Sequence, residues 1–244
     1  MKRLILFAAL ALLAGRLDAQ EHHHGDAATT QGELDPATRA MSQGHQHMGP
    51  HMHLSTLRAP RPGDQQQADA VVEQARPAVE KFRDYRVALA DGYRIFLPNV
   101  PQKMYHFTHY GHAAAAAVTF DPVRPTSLLY EKHGEDYTLI GVMYTAPVGF
   151  TEAQLDQRIP LSIAQWHQHV NMCRPPSGRE GEMFGPHPRF GLAGSIATQA
   201  ECDAAGGTFL PHVFGWMVHM YPWEHTPDAI WSVERQASAA QPAR

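Results

Sequence analysis

The sequence predicts a mainly β protein, either a small barrel or a sandwich, with an N-terminal helix packed outside the sheet. Two observations carry this prediction. From Tyr93 onward, short apolar or alternating runs are separated by proline and glycine, which is typical of strands joined by turns. Before them, residues 64–92 repeat their apolar side chains at helical spacing. Many short strands with turns between them indicate a sandwich or small barrel.

The predicted β metal-binding domain covers residues 93–235. Gly134 is typical of a hairpin turn between the third and fourth candidate strands. The candidate strands are residues 93–97, 104–108, 127–132, 137–145, 161–172 and 213–221, with 230–234 as a further candidate.

The helical segment at residues 64–92 has recognisable ends. Asp64 is a candidate N-cap, and Gly92 supplies a stop. Pro77 lies inside the segment, so we expect a kink or two short helices. A second, short helix is predicted at residues 198–205, where Thr198 and Glu201 form a capping-box pattern before Gly206.

The N-terminus predicts export. Lys2 and Arg3 precede an apolar run at residues 4–14 and a small-residue exit, which together indicate a signal peptide over residues 1–19, cut after Ala19. The run is too short to span a bilayer, and no later segment reaches the roughly 20 apolar residues that a membrane helix needs. We therefore expect a secreted or periplasmic protein without a membrane span. The formal net charge of -4 argues against a nucleic-acid partner.

Residues 20–63 predict a disordered tail rich in histidine and methionine, because so few apolar residues cannot offset the entropy of ordering. Residues 236–244 are expected to fray. Two interpretations of the tail stay open: a metal-capturing segment, suited to copper with zinc or nickel as alternatives, or a solubilising linker. The candidate tail ligands are His22, His45, His47, His51 and His53.

The two cysteines, Cys173 and Cys202, predict a disulfide bond, because an exported chain folds in an oxidising compartment. This bond would pin the loop at residues 174–212 to the end of the strand that contains His167 and His169. Two free buried thiols, or Cys173 as a metal ligand, are the alternatives.

The candidate metal site is centred on His167 and His169. Two residues apart on a strand, they share a face and can converge on one ion. Single histidines in other apolar strands, His106 and His219, could join them. Glu131 shares a face with Leu129, where a carboxylate is costly to bury unless it is paired or bound to metal. This donor set suits one divalent transition metal: copper, zinc, iron or manganese.

Several residues have plainer interpretations. His106 could equally be a hydrogen-bonded core histidine, and Glu131 could pair with a neighbouring cation or orient a histidine. His109 and His112 flank a small-residue segment and could form a lid or have no role. His187 and His212 are expected at the surface.

The paired histidines on a strand, with a further histidine on a later strand, resemble the metal site of the cupin superfamily. There the ligands line the mouth of a small β-barrel, so the resemblance implies a cupin-like barrel that binds one metal ion. Cupins usually place a glutamate a few residues after the histidine pair. Residues 173–176 read Cys-Arg-Pro-Pro instead, so Glu131 from an earlier strand would have to take that place.

A second resemblance covers more of the chain, roughly residues 68–221. Its blocks are similar to recurring blocks of uncharacterised secreted bacterial proteins, which implies a shared domain but no substrate. It favours His106 and Glu131 as parts of one functional unit. The blocks are Ala88 with Asp91-Gly92-Tyr93, residues 104–107, and Asp121-Pro122 with Pro125 and residues 128–131.

Together these features predict a secreted or periplasmic metal-binding β-domain protein. In one form it is a mononuclear metalloenzyme, an oxidoreductase or a metal-assisted hydrolase or lyase, that acts on an unknown small molecule. The alternative is a non-catalytic copper- or zinc-binding protein in metal homeostasis. In a third interpretation the histidines are incidental to a structural β-domain. The sequence assigns no catalytic residue and does not decide between catalysis and metal handling.

Overall fold

An antiparallel sheet forms the centre of the fold. The structure, a computed structural model of the 244-residue chain, describes residues 49–99, 102, 104–184 and 187–233. The strands in these residues are β1 (Met52–Leu54), β2 (Arg94–Ile95), β3 (Met104–Thr108), β4 (Ser127–His133), β5 (Asp136–Ala146), β6 (His167–Arg174), β7 (Thr208–His212) and β8 (Trp216–Met220). They run in the order β1, β6, β8, β5, β4, β3, β2, and β7 pairs with β6 outside this path. The mainly β class is confirmed, and the cupin-like arrangement stays a prediction.

Four predicted strands correspond closely to β3, β4, β5 and β8, and two others are shorter than expected. The predicted strand at residues 93–97 is reduced to β2. The predicted strand at residues 161–172 begins only at His167, because the N–H groups of Ile163 and Ala164 donate to Pro160 O at 2.9 and 3.1 Å. The apolar residues before His167 therefore enter the core through a turn. β1 and β7 were not predicted.

The helices of the described residues are α1 (Asp64–Val79), α2 (Tyr85–Ala90), α3 (Tyr110–Ala116), α4 (Glu152–Arg158), α5 (Gln199–Ala204) and α6 (Pro227–Ile230). The predicted helical segment is divided as expected. α1 contains Pro77, continues into a 3-10 turn at Glu80–Arg83, and is followed by α2, which ends before Gly92 at φ 109°. The N-cap of α1 is Gly63 rather than Asp64, which is the first helical residue.

Two helix termini show how local chemistry decides the structure. α5 has the predicted capping box, with Thr198 and Glu201 satisfying each other's backbone groups. The prediction of a strand from residue 230 is wrong, because α6 occupies Pro227–Ile230 instead. There the Thr226 side chain accepts a hydrogen bond from Ala229 N, and Pro227 suits the first helical turn.

The two faces of the sheet bury different side chains. Alternation along β3 sends Tyr105 and Phe107 into a large apolar cluster that includes Val71, Val72 and Val79 of α1, so the helix covers this core face. The opposite face carries a smaller buried cluster. Its members are Met104, Leu129, Met143, Met217 and Tyr221. We call this second side of the sheet the site face.

The predicted disulfide between Cys173 and Cys202 is confirmed, with a Cα–Cα distance of 5.6 Å. It joins the end of β6 to α5, so it fastens the intervening segment to the sheet. Two residues before Cys173, Asn171 has a left-handed backbone with φ 57°. This kink falls where β6 leaves β1 and turns to pair with β7.

The predicted tail at residues 20–63 is wrong at its C-terminal end. Residues 49–63 are ordered: β1 pairs with β6, and His51 is buried with Nδ1 3.1 Å from Asn171 O and Nε2 2.8 Å from Gly194 O. Backbone pairing and these contacts supply the order that the few apolar residues would not. Residues 20–48, the predicted signal peptide and residues 236–244 lie outside the described residues.

An ion-pair network fastens the segment after β1 to the rest of the protein. Arg58 donates to both carboxylate oxygens of Asp64, at 2.6 and 2.8 Å, and to Asp156 of α4 at 2.7 Å. Ser162 Oγ also donates to Asp64, at 2.5 Å. No helix in the described part of the chain is long and apolar enough to cross a membrane.

Candidate metal centre

Four imidazoles lie side by side on the site face. His106 extends from β3, His167 and His169 from β6, and His219 from β8. The ring centroids are 5.5 Å apart for His106 and His219, 5.2 Å for His167 and His219, and 5.6 Å for His167 and His169. The structure therefore brings together four of the five residues predicted for the central site. We call them the imidazole cluster.

Strand register explains why three members of the cluster, His167, His169 and His219, share one face. Met143 of β5 pairs with His219, and His167 of β6 pairs with Met217, so the alternate residues of three strands share the site face. Gly141 lets β5 and β8 approach each other closely at the end of their paired segment, next to the pair of Val142 and Met220. A Cβ atom there would lie 2.7 Å from Met220 O and 2.8 Å from the Tyr221 ring. Residues far apart in the sequence thus meet on one surface.

The cluster has a buried floor and a more open rim. His167 and His219 are 1% and 3% exposed, whereas His106 and His169 are half-buried. Burial, with a smaller contribution from His169, lowers the pKa of His106 to about 4. Burial, with a smaller contribution from His51, lowers the pKa of His169 to about 4. At neutral pH both rings are therefore uncharged, the form in which imidazole binds a metal.

The spacing of the rings is compatible with metal binding, although the rings are not arranged around an ion. Two imidazoles on one tetrahedral ion, with bonds of about 2.1 Å, have centroids roughly 5 to 6 Å apart. Yet no three His, Cys, Asp or Glu side chains within the described ranges are placed to hold a common ion. Binding therefore requires the rings to turn toward one another without moving the strands.

Glu131, the fifth predicted residue, lies on the site face but toward the exposed end of β4. It pairs across the sheet with Met104, whereas His106 pairs with Leu129, two residues away. Its Oε2 atom is 3.8 Å from Nε2 of His133, and its side chain is 35% exposed. Glu131 therefore contacts His133, which is not a member of the imidazole cluster. Its role as a ligand stays a prediction.

The predicted tail site is divided by the structure. His22, His45 and His47 lie outside the described residues. Both ring nitrogens of His51 are within hydrogen-bonding distance of backbone carbonyls, so this ring holds β1 in place. His53 is exposed and its ring centroid is 5.3 Å from that of Trp216.

The remaining histidines lie elsewhere. His109 and His112 stack with centroids 3.8 Å apart beside Tyr93, and His112 Nδ1 is 3.1 Å from Pro125 O. Burial lowers the pKa of His112. His112 also lines a cavity of about 390 Å³ that includes no member of the imidazole cluster. His187 and His212 are exposed, as predicted, although His212 belongs to β7 rather than to a loop.

The sequence reasoning missed the methionines of the site face. Met52 pairs with His169, Met217 with His167, and Met143 with His219. A signal was available in the pattern Met-x-His, which occurs at Met104 and His106 and again at Met217 and His219. On a strand this spacing puts a thioether and an imidazole on the same face.

The fold and site define a mainly antiparallel β-protein that carries an imidazole cluster on one face of its sheet. Comparison of the chain with protein-family models, curated proteins and solved structures finds no match. The resemblance to cupins therefore rests on the sequence pattern alone.

Proposed function

We propose that this protein binds one transition-metal ion, copper or zinc, through His106, His167, His169 and His219. The observation that carries the proposal is the unbroken series of ring contacts, 5.2 to 5.6 Å between centroids, across three strands. Strands are rigid supports, so side-chain rotation is the movement by which these donors would meet around an ion.

The donor set favours some metals over others. Uncharged imidazoles suit zinc, copper and iron, whereas manganese prefers carboxylate oxygens. Glu131, the carboxylate that would favour manganese, is directed to His133. Iron(II) binds nitrogen ligands more weakly than copper(II) or zinc does, so copper and zinc are the preferred ions for this cluster.

The number of donors favours metal handling over catalysis. Four protein ligands complete a tetrahedral sphere, whereas catalytic zinc sites keep three ligands and one open position. We therefore propose a non-catalytic metal-binding role outside the cytoplasm, in line with the predicted signal peptide. A disulfide such as Cys173–Cys202 is compatible with an oxidising compartment. Catalysis would require one rim histidine to leave the ion.

Elemental analysis of protein purified without added metal tests the proposal. It compares the mature chain with a version that lacks residues 20–48, which removes the candidate tail ligands His22, His45 and His47 but keeps β1. Both should retain about one metal ion per chain. His167→Ala should abolish this binding without changing the circular dichroism spectrum, whereas His187→Ala, at an exposed position, should retain it.

Two results would contradict the proposal. In one, the metal content disappears with residues 20–48, which would assign binding to the tail. In the other, His167→Ala and His219→Ala both keep the metal content of the parent protein.

A further inference from the structure

We infer that the bound ion is copper(I) and that methionine thioethers on the site face share its coordination positions with the imidazoles, so that not every imidazole of the cluster binds the copper(I) ion. The inference rests on the proposed function, since it concerns the same imidazole cluster. It adds the identity and oxidation state of the metal and a second type of ligand.

The first argument is register. Three of the four clustered histidines have a methionine directly opposite on the neighbouring strand: Met52 for His169, Met217 for His167 and Met143 for His219. Side chains opposite each other in an antiparallel pair have Cβ atoms about 4.5 to 5.5 Å apart. Each of these imidazoles therefore has a thioether within side-chain reach.

The second argument is burial. Met143 and Met217 are each 7% exposed, and Met104, two residues before His106 on β3, is 2% exposed. These three methionines belong to one buried cluster on the site face. The imidazoles and the thioethers therefore line a common, largely dry surface. Met52 of the edge strand β1 is half-buried and lies at the rim beside His169.

The third argument is ligand chemistry. Thioether sulfur is a soft, uncharged donor that selects copper(I), whereas zinc is usually held by imidazole, thiolate and carboxylate. Methionine is also unbranched and flexible, so its sulfur can swing toward an ion without strand movement. Leucine would fill nearly the same volume, so packing alone does not require methionine at three positions opposite histidine.

The test replaces thioether sulfur and keeps the volume. Met52→Leu, Met143→Leu and Met217→Leu are combined in the full mature chain, so that residues 20–48 are the same in every sample. Met220→Leu is the matched control, because Met220 is fully buried on β8 but belongs to the core-face cluster. Affinities are measured anaerobically by competition with a copper(I) chelator and separately with a zinc chelator, and copper X-ray absorption reports sulfur ligands.

The expected result is a loss of at least tenfold in copper(I) affinity for the triple variant, with zinc affinity within about twofold. The sulfur shell of the copper spectrum should shrink in parallel, and Met220→Leu should match the parent. If the triple variant is not folded by circular dichroism, Met52→Leu alone should still lower copper(I) affinity, since that half-buried residue lies on an edge strand.

The results that would overturn the thioether inference differ from those that would overturn the proposed function. If copper(I) affinity is equal in the parent and the folded thioether variants while His167→Ala loses binding, the thioether inference is overturned and the proposed function stands. A parent that binds zinc but no copper(I) also overturns it. If His167→Ala and His219→Ala leave the binding of both metals intact, the proposed function falls and the inference falls with it.

Discussion

His167 of β6 and Met217 of β8 face each other as the register pair that joins these two strands. This contact closes the gap between the edge formed by β1 and β6 and the strands from β8 to β2. It also places an imidazole and a thioether in the middle of the site face. The join in the sheet and the centre of the candidate site are therefore the same place.

Replacing His106 and Glu131 separately will show which of them belongs to the site. We expect His106→Ala to lower metal affinity tenfold or more, because its ring contacts His219 at 5.5 Å between centroids. Glu131→Gln should change affinity less than twofold, because that carboxylate lies beside His133. Competition titrations measure both. An equal loss for the two variants would restore Glu131 as a ligand.

We expect the stability cost of a substitution at Gly207 to depend on whether the Cys173–Cys202 disulfide is present. A Cβ atom on Gly207 would lie 2.5 Å from Cys173 Sγ, 2.7 Å from Arg174 O and 2.9 Å from Cys202 Sγ, so Gly207→Ala should destabilise the protein. Removing the bond with Cys173→Ala and Cys202→Ala should lower the free energy of unfolding by about 3–4 kcal/mol, from the entropy of the freed loop.

Guanidinium unfolding of a double-mutant cycle measures this coupling. Gly207→Ala should cost less in the protein without the disulfide, because both sulfur contacts are gone and only the contact with Arg174 O remains. Gly149→Ala is the control, since nothing lies within 4 Å of its Cβ position. Equal costs in both backgrounds would show that the sulfur contacts do not matter.

Because Asn171 has a left-handed backbone, we expect a glycine substitution at this position to destabilise the protein less than a valine substitution. Its φ of 57° strains most side chains, and its Nδ2 atom donates to Pro50 O at 2.8 Å. Asn171→Gly should lose the hydrogen bond but relieve strain, whereas Asn171→Val should destabilise by about 1–3 kcal/mol. Thermal unfolding measures the difference. A valine variant as stable as the glycine variant would contradict this explanation.

Acid should weaken the attachment of the segment before α1. Hydrogen bonds from Arg58, and then from Ser162, hold the pKa of the Asp64 carboxyl well below its usual range. A group whose pKa is lowered by folding stabilises the protein above its unfolded pKa of about 4 and loses that contribution as the pH falls further. Stability should therefore decline below about pH 4.

Urea unfolding at neutral pH and at about pH 3 checks this sign. Asp64→Asn should be less stable than the parent at neutral pH and should show a smaller loss on acidification. Asp69→Asn, at an exposed position on the same helix, should behave as the parent does. A parent and an Asp64 variant with the same pH dependence would rule out this carboxylate as the cause.

Much of the architecture could be read from local patterns. The alternation at residues 104–108 predicts β3, and the Thr198–Glu201 pattern predicts the capped helix α5, because both depend on neighbours within a few residues. The turn at Pro160 and the short helix α6 were mispredicted because an apolar run fits more than one backbone path. Their outcome depends on which hydrogen bonds the surrounding structure supplies.

The sequence by itself determined the donor types and the shared face of His167 and His169, since residues two apart on a strand always point the same way. Tertiary structure alone decided which distant residues join them. Strand order places His219 beside the pair. Curvature of the sheet brings His106 of β3 to His219, since β5 and β4 lie between their strands, and Glu131 stays beside His133. It also sets methionines opposite three of the histidines, because register between strands is a property of the assembled sheet.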